Sequence, residues 1–228
     1  MAVSVEAGHF STRIVPALWI VLGVVVIVIL PWPLALICLV GIIGIVASEL
    51  THLVDSASER AHNTKRLPWA IEWVLIMLFP SCIILVEIIA GKSALVWLIG
   101  TVFVSDVGAF YGGKALSKLT GGHKLAVRIS PGKTWEGVFT GLLGAALWTS
   151  IMLPFRFGIS PGVLYCLALC LAIVGMAGDL LESWLKRQAD VKDSSLLLRD
   201  HGGMLDRNDG LLAAAPVAVI ILWVLVPS

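Results

Sequence analysis

Long apolar stretches separated by short polar ones dominate the hydrophobic pattern of this chain. Seven of them approach the roughly 20 residues that a bilayer-spanning helix needs. They lie at 14–30, 34–50, 68–90, 94–112, 134–154, 162–182 and 210–226. Pro31 and Pro33 make the first two a tight hairpin, and Pro80 and Pro216 are expected to kink the third and the seventh. The pattern predicts an all-α fold, a polytopic transmembrane bundle of about seven spans.

Composition strengthens the membrane assignment. Hydrophobic residues make up 58% of the 228 positions and charged residues 14%, and the mean hydropathy is +0.97. A soluble domain usually has about 25% charged residues. The formal net charge of +1 gives no reason to expect a nucleic-acid partner. The chain is therefore predicted to be an integral membrane protein.

The basic residues predict how the spans are oriented. Cytoplasmic loops of membrane proteins carry an excess of lysine and arginine. If the N-terminus is cytoplasmic, all of the 16 lysines and arginines except Lys92 and Arg156 fall on the cytoplasmic side. An error of one span would destroy this asymmetry. We therefore expect a cytoplasmic N-terminus.

The same topology divides the chain into two regions. Residues 1–100 form an N-terminal hairpin and third span. Residues 101–228 are expected to form the catalytic region, because their cytoplasmic loops 113–133 and 183–209 hold most of the polar residues. The first loop has five basic residues and no acid. Attraction to anionic lipid headgroups is one explanation of such a loop. The second has five basic residues and five aspartates. Mixed charges of this kind indicate a site that holds a divalent cation and phosphates.

Carboxylates near the ends of the last two spans sharpen this prediction. Asp179 and Glu182 share a helix face with Ser183 and Lys186, although a solvated helix end would look the same. Asp206 and Asp209 lie three residues apart where the last helix begins, and Asp209 has an alternative role as an N-cap.

If the last two spans are neighbours, Asp179 meets Asp206 and Asp209 at the cytoplasmic surface. Three carboxylates that close would repel one another unless a cation bound them. Oxygen ligands beside phosphate-binding bases suit Mg²⁺.

Four motifs in the second half of the chain carry a family resemblance. They are Ser105-Asp106-x-Gly108-Ala109-Phe110-Tyr111; Ser130-Pro131-x-Lys133-Thr134-Trp135-Glu136-Gly137; Ser183-x-Leu185-Lys186-Arg187-x4-Lys192-Asp193; and His201-Gly202-Gly203-x2-Asp206-Arg207-x-Asp209. Together they closely resemble the signature motifs of CDP-diacylglycerol synthases (phosphatidate cytidylyltransferases). The resemblance covers roughly residues 100–215.

The resemblance implies a nucleotidyl transfer in phospholipid biosynthesis, CTP + phosphatidate → CDP-diacylglycerol + pyrophosphate. It implies Mg²⁺ as cofactor and leaves a monovalent cation open. It also implies a bacterial inner (cytoplasmic) membrane with the active site facing the cytoplasm.

The resemblance also implies the site residues. By this resemblance, the metal ligands are Asp179, Asp206 and Asp209. The catalytic residues are Asp206, Lys192, Asp209, His201 and Arg207, of which His201 and Asp209 position rather than abstract a proton. The residues that bind CTP and phosphate are Ser130, Lys133, Thr134, Lys186, Arg187 and Asp106.

Several alternatives stay open at this point. Arg199-Asp200 stand where the family usually has Pro-Gly, so a catalytically impaired relative is one alternative. A CTP-dependent polyprenol kinase would release CDP instead of pyrophosphate, and a transporter would place its charges near the bilayer midplane. Glycine pairs Gly108/Gly112 and Gly137/Gly141 fit either a homodimer or packing within one chain.

Overall fold

Helices make up most of the chain in the computed structural model. It describes residues 41, 44–56, 69–155, 158–191, 193–195 and 203–226, with backbone alone for 69–80. The elements, in chain order, are α1 (44–56), α2 (Trp69–Thr120), β1 (Lys124–Ala126), β2 (Ser130–Thr134), α3 (Trp135–Met152), a 3₁₀ turn (Leu153–Phe155), α4 (Pro161–Gln188) and α5 (Leu205–Leu225).

Four helical segments in the described ranges are long and apolar enough to cross a membrane. They are Ser81–Thr120, Trp135–Phe155, Pro161–Gln188 and Leu205–Leu225. Large apolar side chains such as Leu147 and Trp223 are exposed on their outer faces, as expected where lipid is the solvent. These helices mark the chain as a membrane protein.

The predicted third and fourth spans form one long element. Helix α2 continues through Pro80, and its backbone leaves the helical region at Gly91, with φ of 79° and ψ of 176°. Because φ is positive, glycine suits this bend. The predicted break at 91–93 is thus a sharp bend. The first predicted span and the start of the second lie outside the described residues, so the count of seven and the orientation stay predictions.

The predicted loop 113–133 contains structure that the sequence analysis missed. Helix α2 continues to Thr120, and β1 and β2 then pair as an antiparallel hairpin. The all-α prediction therefore needs one correction, a two-stranded hairpin at the end of the bundle. Strands this short give no clear alternating pattern in sequence.

Glycines allow α2 and α3 to pack backbone to backbone. A Cβ atom at Gly137 would lie 2.9 Å from the carbonyl oxygen of Ala109, and one at Gly144 would lie 2.8 Å from that of Val104. Gly108 and Gly141 are equally close to backbone oxygens. The glycines considered for a dimer interface are thus packed within one chain, and a homodimer stays a prediction.

The core of the bundle lies between α2, α4 and α5. Fully buried Trp97 and Leu98 of α2 belong to the same apolar cluster as Leu164 of α4 and Ala214 of α5. Indole Nε1 of Trp97 donates to Oγ1 of Thr149 at 3.1 Å, which satisfies its one polar atom. This packing sets α4 beside α5, and so brings together the helix ends that carry the acidic residues.

Candidate active site

Three carboxylates meet where α4 and α5 are closest. Asp179, Glu182 and Asp209 each offer an oxygen, and these oxygens lie within 4.8 Å of one another. Gly178 permits this approach, because a Cβ atom there would lie 2.8 Å from the carbonyl oxygen of Asp209. We call these three residues the acidic centre.

The acidic centre fits a hard divalent cation. Glu182 is buried at 7% exposure, and its Oε1 is buried with no hydrogen-bond donor among the described residues. A buried carboxylate oxygen without a donor is costly unless something positive compensates it. Oxygen ligands grouped in this way are those that Mg²⁺ prefers.

A second network lies against the acidic centre. Nζ of Lys186 donates to Oε2 of Glu182 at 3.0 Å and to Oδ1 of Asp206 at 2.7 Å. Asp206 also accepts from the backbone nitrogens of Ser194 and Gly203, at 3.0 and 2.6 Å. Lys186 therefore links Asp206 to the acidic centre through Glu182.

A cavity of about 650 Å³ opens on the other side of Asp179. Lys133, at the end of the hairpin, lines it and places its Nζ 2.8 Å from Oδ2 of Asp179. The cavity is also lined by Lys114, Lys118 and Lys124. Its volume lies within the range of about 300–1,000 Å³ usual for small-molecule sites. We call it the basic cavity.

Glu136 fastens the hairpin that forms one wall of the basic cavity. Its buried carboxylate accepts from Oγ1 of Thr120 at 2.7 Å and from the backbone nitrogen of His123 at 3.0 Å. Next to it, Oγ1 of Thr134 caps α3 by accepting from the nitrogen of Gly137 at 3.1 Å. The end of α2, the hairpin and the start of α3 are thereby joined.

A smaller cavity of about 90 Å³ lies between α2, α4 and α5. Asp106 and Asp179 line both this cavity and the basic cavity. Arg207 and Asp209 also line the smaller one. The two cavities therefore meet at a pair of carboxylates beside the acidic centre.

The structure brings most of the predicted site residues together. Asp179 and Asp209 lie in the acidic centre. Asp206 is bound to Lys186, which also donates to Glu182 of the acidic centre. Ser130, Lys133, Thr134 and Asp106 line the basic cavity. Arg187 is exposed, and its Nε donates to the carbonyl oxygen of Ile129 in the hairpin at 3.3 Å. The predicted roles of Lys192 and His201, and the Arg199-Asp200 departure, lie outside the described residues.

Two acidic residues were missed as site residues. Glu182 carried a signal, since it lies three residues after Asp179 on the same helix face. Glu49 of α1 carried none, since its hydrogen bond to the nitrogen of Leu205 joins positions 156 residues apart.

The fold and this site define a membrane protein in which an acidic, cation-fitting centre adjoins a basic cavity at one end of a helix bundle. The model of the cytidylyltransferase family matches residues 73–225, which include the acidic centre, the hairpin and both cavities. The chain belongs to the cytidylyltransferase family.

Similar bacterial proteins bear the name phosphatidate cytidylyltransferase. The chain is 47% identical to the one from Brucella melitensis over 127 residues, which are 55% of this chain and 45% of the relative. It is 44% identical to the one from Pseudomonas aeruginosa over 124 residues, 54% of this chain and 44% of the relative. The matched part thus spans less than half of each relative. The family expected from the motifs is confirmed.

Proposed function

We propose that this protein transfers the cytidylyl group of CTP to phosphatidate, giving CDP-diacylglycerol and pyrophosphate. The observation that carries the proposal is the acidic centre, which adjoins the basic cavity through Asp179 in a chain of the cytidylyltransferase family. The name of the relatives supports the choice of phosphatidate as acceptor.

The basic cavity is proposed to receive CTP. Its lysines supply the positive charge that a triphosphate needs. Lys133 is placed to bind the departing pyrophosphate, because it is closest to the acidic centre. Ser130 lines the same wall, while the hydroxyl of Thr134 is engaged in capping α3.

Asp179, Glu182 and Asp209 would hold Mg²⁺, which neutralises charge on phosphate oxygens when it is bound. Asp206 was predicted as a further ligand. Here its carboxylate orients Lys186, which in turn holds Glu182 in place. A monovalent cation stays open.

The smaller cavity is proposed to receive the phosphate of phosphatidate, with the acyl chains remaining in the bilayer. Arg207 lines this cavity, and a guanidinium group suits phosphate recognition. Lys192 is predicted to assist it. The two substrates would then approach each other from opposite sides of Asp106 and Asp179.

In the proposed reaction, a phosphate oxygen of phosphatidate attacks the α-phosphorus of CTP. The new bond joins that oxygen to the α-phosphorus, and the bond from the α-phosphorus to the bridging oxygen of the β-phosphate breaks. Pyrophosphate leaves with the electron pair. The lipid phosphate is already ionised, so no general base is needed. Catalysis is positioning and charge neutralisation.

The location of the reaction is part of the proposal. The basic residues of loops 113–133 and 183–209 favour the cytoplasmic side under the positive-inside rule. The bacterial relatives support the proposal that the protein lies in the inner membrane with the site facing the cytoplasm, where CTP is made.

The proposal is tested with purified protein in detergent, phosphatidate, CTP and Mg²⁺. We expect pyrophosphate and CDP-diacylglycerol in equal amounts, and neither product with the Asp179→Asn variant. Release of CDP without CDP-lipid would instead identify a lipid kinase and overturn the proposal.

A further inference from the structure

Glu49 of α1 is a buried carboxylate that neither cavity includes among its described lining residues. It is 6% exposed, and four donor groups lie within hydrogen-bond distance of its carboxylate. Two come from the hydroxyl groups of Ser194 and Ser195, at 3.2 and 2.5 Å. Two come from the backbone nitrogens of Met204 and Leu205, at 3.1 and 2.7 Å. Both carboxylate oxygens are thereby engaged.

These backbone nitrogens belong to the start of α5. The first N–H groups of a helix have no partner within the helix and are usually satisfied by the side chain at the N-cap. Here the N-cap residue is Met204, whose side chain makes no capping bond. Glu49 supplies the cap from another helix, and its negative charge also suits the positive end of the helix dipole.

Glu49 and Asp206 are connected through Ser194. The hydroxyl of Ser194 lies 3.2 Å from Oε2 of Glu49 and 3.0 Å from Oδ2 of Asp206. Gly203 makes room for this contact, because a Cβ atom there would collide with the Ser194 hydroxyl and with the Glu49 carboxylate. The start of α5 is thus fixed by Glu49 from one side and by Asp206 from the other.

The first turn of α5 carries Asp206, and Asp209 follows at the start of the next turn. The direction in which α5 begins therefore decides whether Asp206 meets Lys186 and whether Asp209 meets Asp179 and Glu182. Glu49 lies outside residues 73–225, the part of the chain that the family model matches.

We propose that Glu49 is a positioning residue: it holds the first turn of α5 so that Asp206 and Asp209 reach α4 in the geometry that the acidic centre requires. The effect of Glu49 on catalysis rests on the proposed function, whereas its effect on the first turn of α5 and on cation binding does not. Glu49 acts through Ser194 and the backbone of Met204 and Leu205, and touches no substrate.

The informative variant is Glu49→Gln, which keeps the side-chain size but removes the charge and turns one acceptor oxygen into a donor. At least one of the four donors then faces an N–H group. Ser48→Ala on the same helix is the matched control. The Ser48 hydroxyl is exposed, and its one hydrogen bond within the described part of the chain is local, to the carbonyl oxygen of Ile45 at 2.8 Å.

Two readouts do not depend on activity. Amide hydrogen exchange of either Met204 or Leu205, whichever faces the new amide group, should become about tenfold faster or more in Glu49→Gln, since that hydrogen bond is lost. The dissociation constant for Mn²⁺, measured by electron paramagnetic resonance, should rise about tenfold, as is typical when a residue that orients metal ligands is changed. Ser48→Ala should leave both values as in the wild type.

Kinetics give a third readout. In Glu49→Gln the Mg²⁺ concentration for half-maximal turnover should rise about tenfold, with the KM for CTP within about twofold of wild type. A loss of folded protein alone would lower the rate without moving the Mg²⁺ dependence. Unchanged amide exchange and unchanged Mn²⁺ affinity in a folded Glu49→Gln protein would overturn the proposal.

A second variant keeps the test decisive if Glu49→Gln does not fold. Ser194→Ala breaks the bridge to Asp206 but leaves Glu49 on the helix nitrogens. Like Glu49→Gln, it should raise the Mn²⁺ dissociation constant. An unchanged value would overturn the link from Glu49 to the acidic centre. If the wild type showed no cytidylyl transfer at all, the proposed function would fail, while the exchange and Mn²⁺ readouts would still decide the role of Glu49.

Discussion

Nζ of Lys133 lies 2.8 Å from Oδ2 of Asp179. This ion pair joins the end of β2 to α4, and so joins the basic cavity to the acidic centre. The lysine belongs to the region proposed to hold phosphates, and the aspartate to the region proposed to hold a cation. With both ligands bound, Asp179 would contact the cation and Lys133 would contact a phosphate, so two contacts would replace this ion pair.

Removing the lysine should therefore affect nucleotide binding most. We predict that Lys133→Ala raises the KM for CTP about 10- to 100-fold, the range expected for a lost hydrogen bond to a charged group. Steady-state kinetics at saturating phosphatidate measures this. Lys92→Ala, which removes a lysine next to the Gly91 bend, is the control. A KM that stays at the wild-type value would remove Lys133 from the CTP site.

The three carboxylates of the acidic centre should bind a divalent cation together. We predict that Glu182→Gln raises the dissociation constant for Mn²⁺ by more than about tenfold, since even residues that only support metal ligands have effects of that size. Binding is measured by electron paramagnetic resonance on purified protein.

Glu87→Gln serves as the control for Glu182→Gln, because Glu87 is a carboxylate on α2 four residues before the Gly91 bend. Equal Mn²⁺ affinity in wild type and Glu182→Gln would show that Glu182 is not part of a cation site.

The sequence predicted the meeting of Asp179 with Asp209, because both lie at helix ends that the positive-inside rule places on one side of the membrane. It placed Asp206 in the same group, since a spacing of three residues puts Asp206 and Asp209 on one helix face. In the structure the carboxylate of Asp206 contacts Lys186, and its role as a cation ligand stays a prediction. Ser194 and Gly203 hold Asp206 from the loop side, and sequence spacing contains no information about those donors.

The hairpin and the contacts of Glu49 could not be predicted from the sequence, for different physical reasons. The hairpin strands are three and five residues long, and the lysines in and around them read as a membrane-surface loop. Glu136 ties the hairpin to the end of α2, since its carboxylate accepts from Thr120 and His123. Glu49 lies in α1, outside the four motifs, and two of its four partners are backbone nitrogens, which are the same for every residue type but proline.

The Lys186–Asp206 pair makes a prediction about stability. Their side chains are 13% and 9% exposed, and breaking a buried ion pair by removing one partner costs about 3–5 kcal/mol. Asp206→Asn should therefore lower the melting temperature in detergent, and Lys186→Met should lower it as well. The double variant should lose less than the sum of both, because the two residues interact directly.

Lys92→Met combined with Asp206→Asn is the matched additive control. If the stability losses of Lys186→Met and Asp206→Asn also added up in the double variant, the two side chains would not stabilise each other. Asp206 would then be assigned as a direct cation ligand, as the sequence predicted.

Backbone contact between α2 and α3 predicts a size limit at Gly144. A methyl group there would press against the carbonyl oxygen of Val104, at 2.8 Å. We predict that Gly144→Ala costs about 1–3 kcal/mol, the usual range for overpacking, seen as a lower melting temperature. Gly162→Ala is the control, because no atom of the described residues lies within 4 Å of its added Cβ. A Gly144→Ala protein as stable as Gly162→Ala would contradict the close packing of these helices.

The fate of the CTP phosphates tests the central claim most directly. Wild-type protein is incubated with phosphatidate, Mg²⁺ and CTP that is radiolabelled at either the α- or the γ-phosphate. Cytidylyl transfer predicts that the α-label enters the lipid product and the γ-label appears in pyrophosphate, and that Asp209→Asn loses both signals. Transfer of the γ-label to lipid, or no transfer of either label by folded wild-type protein, would contradict the account.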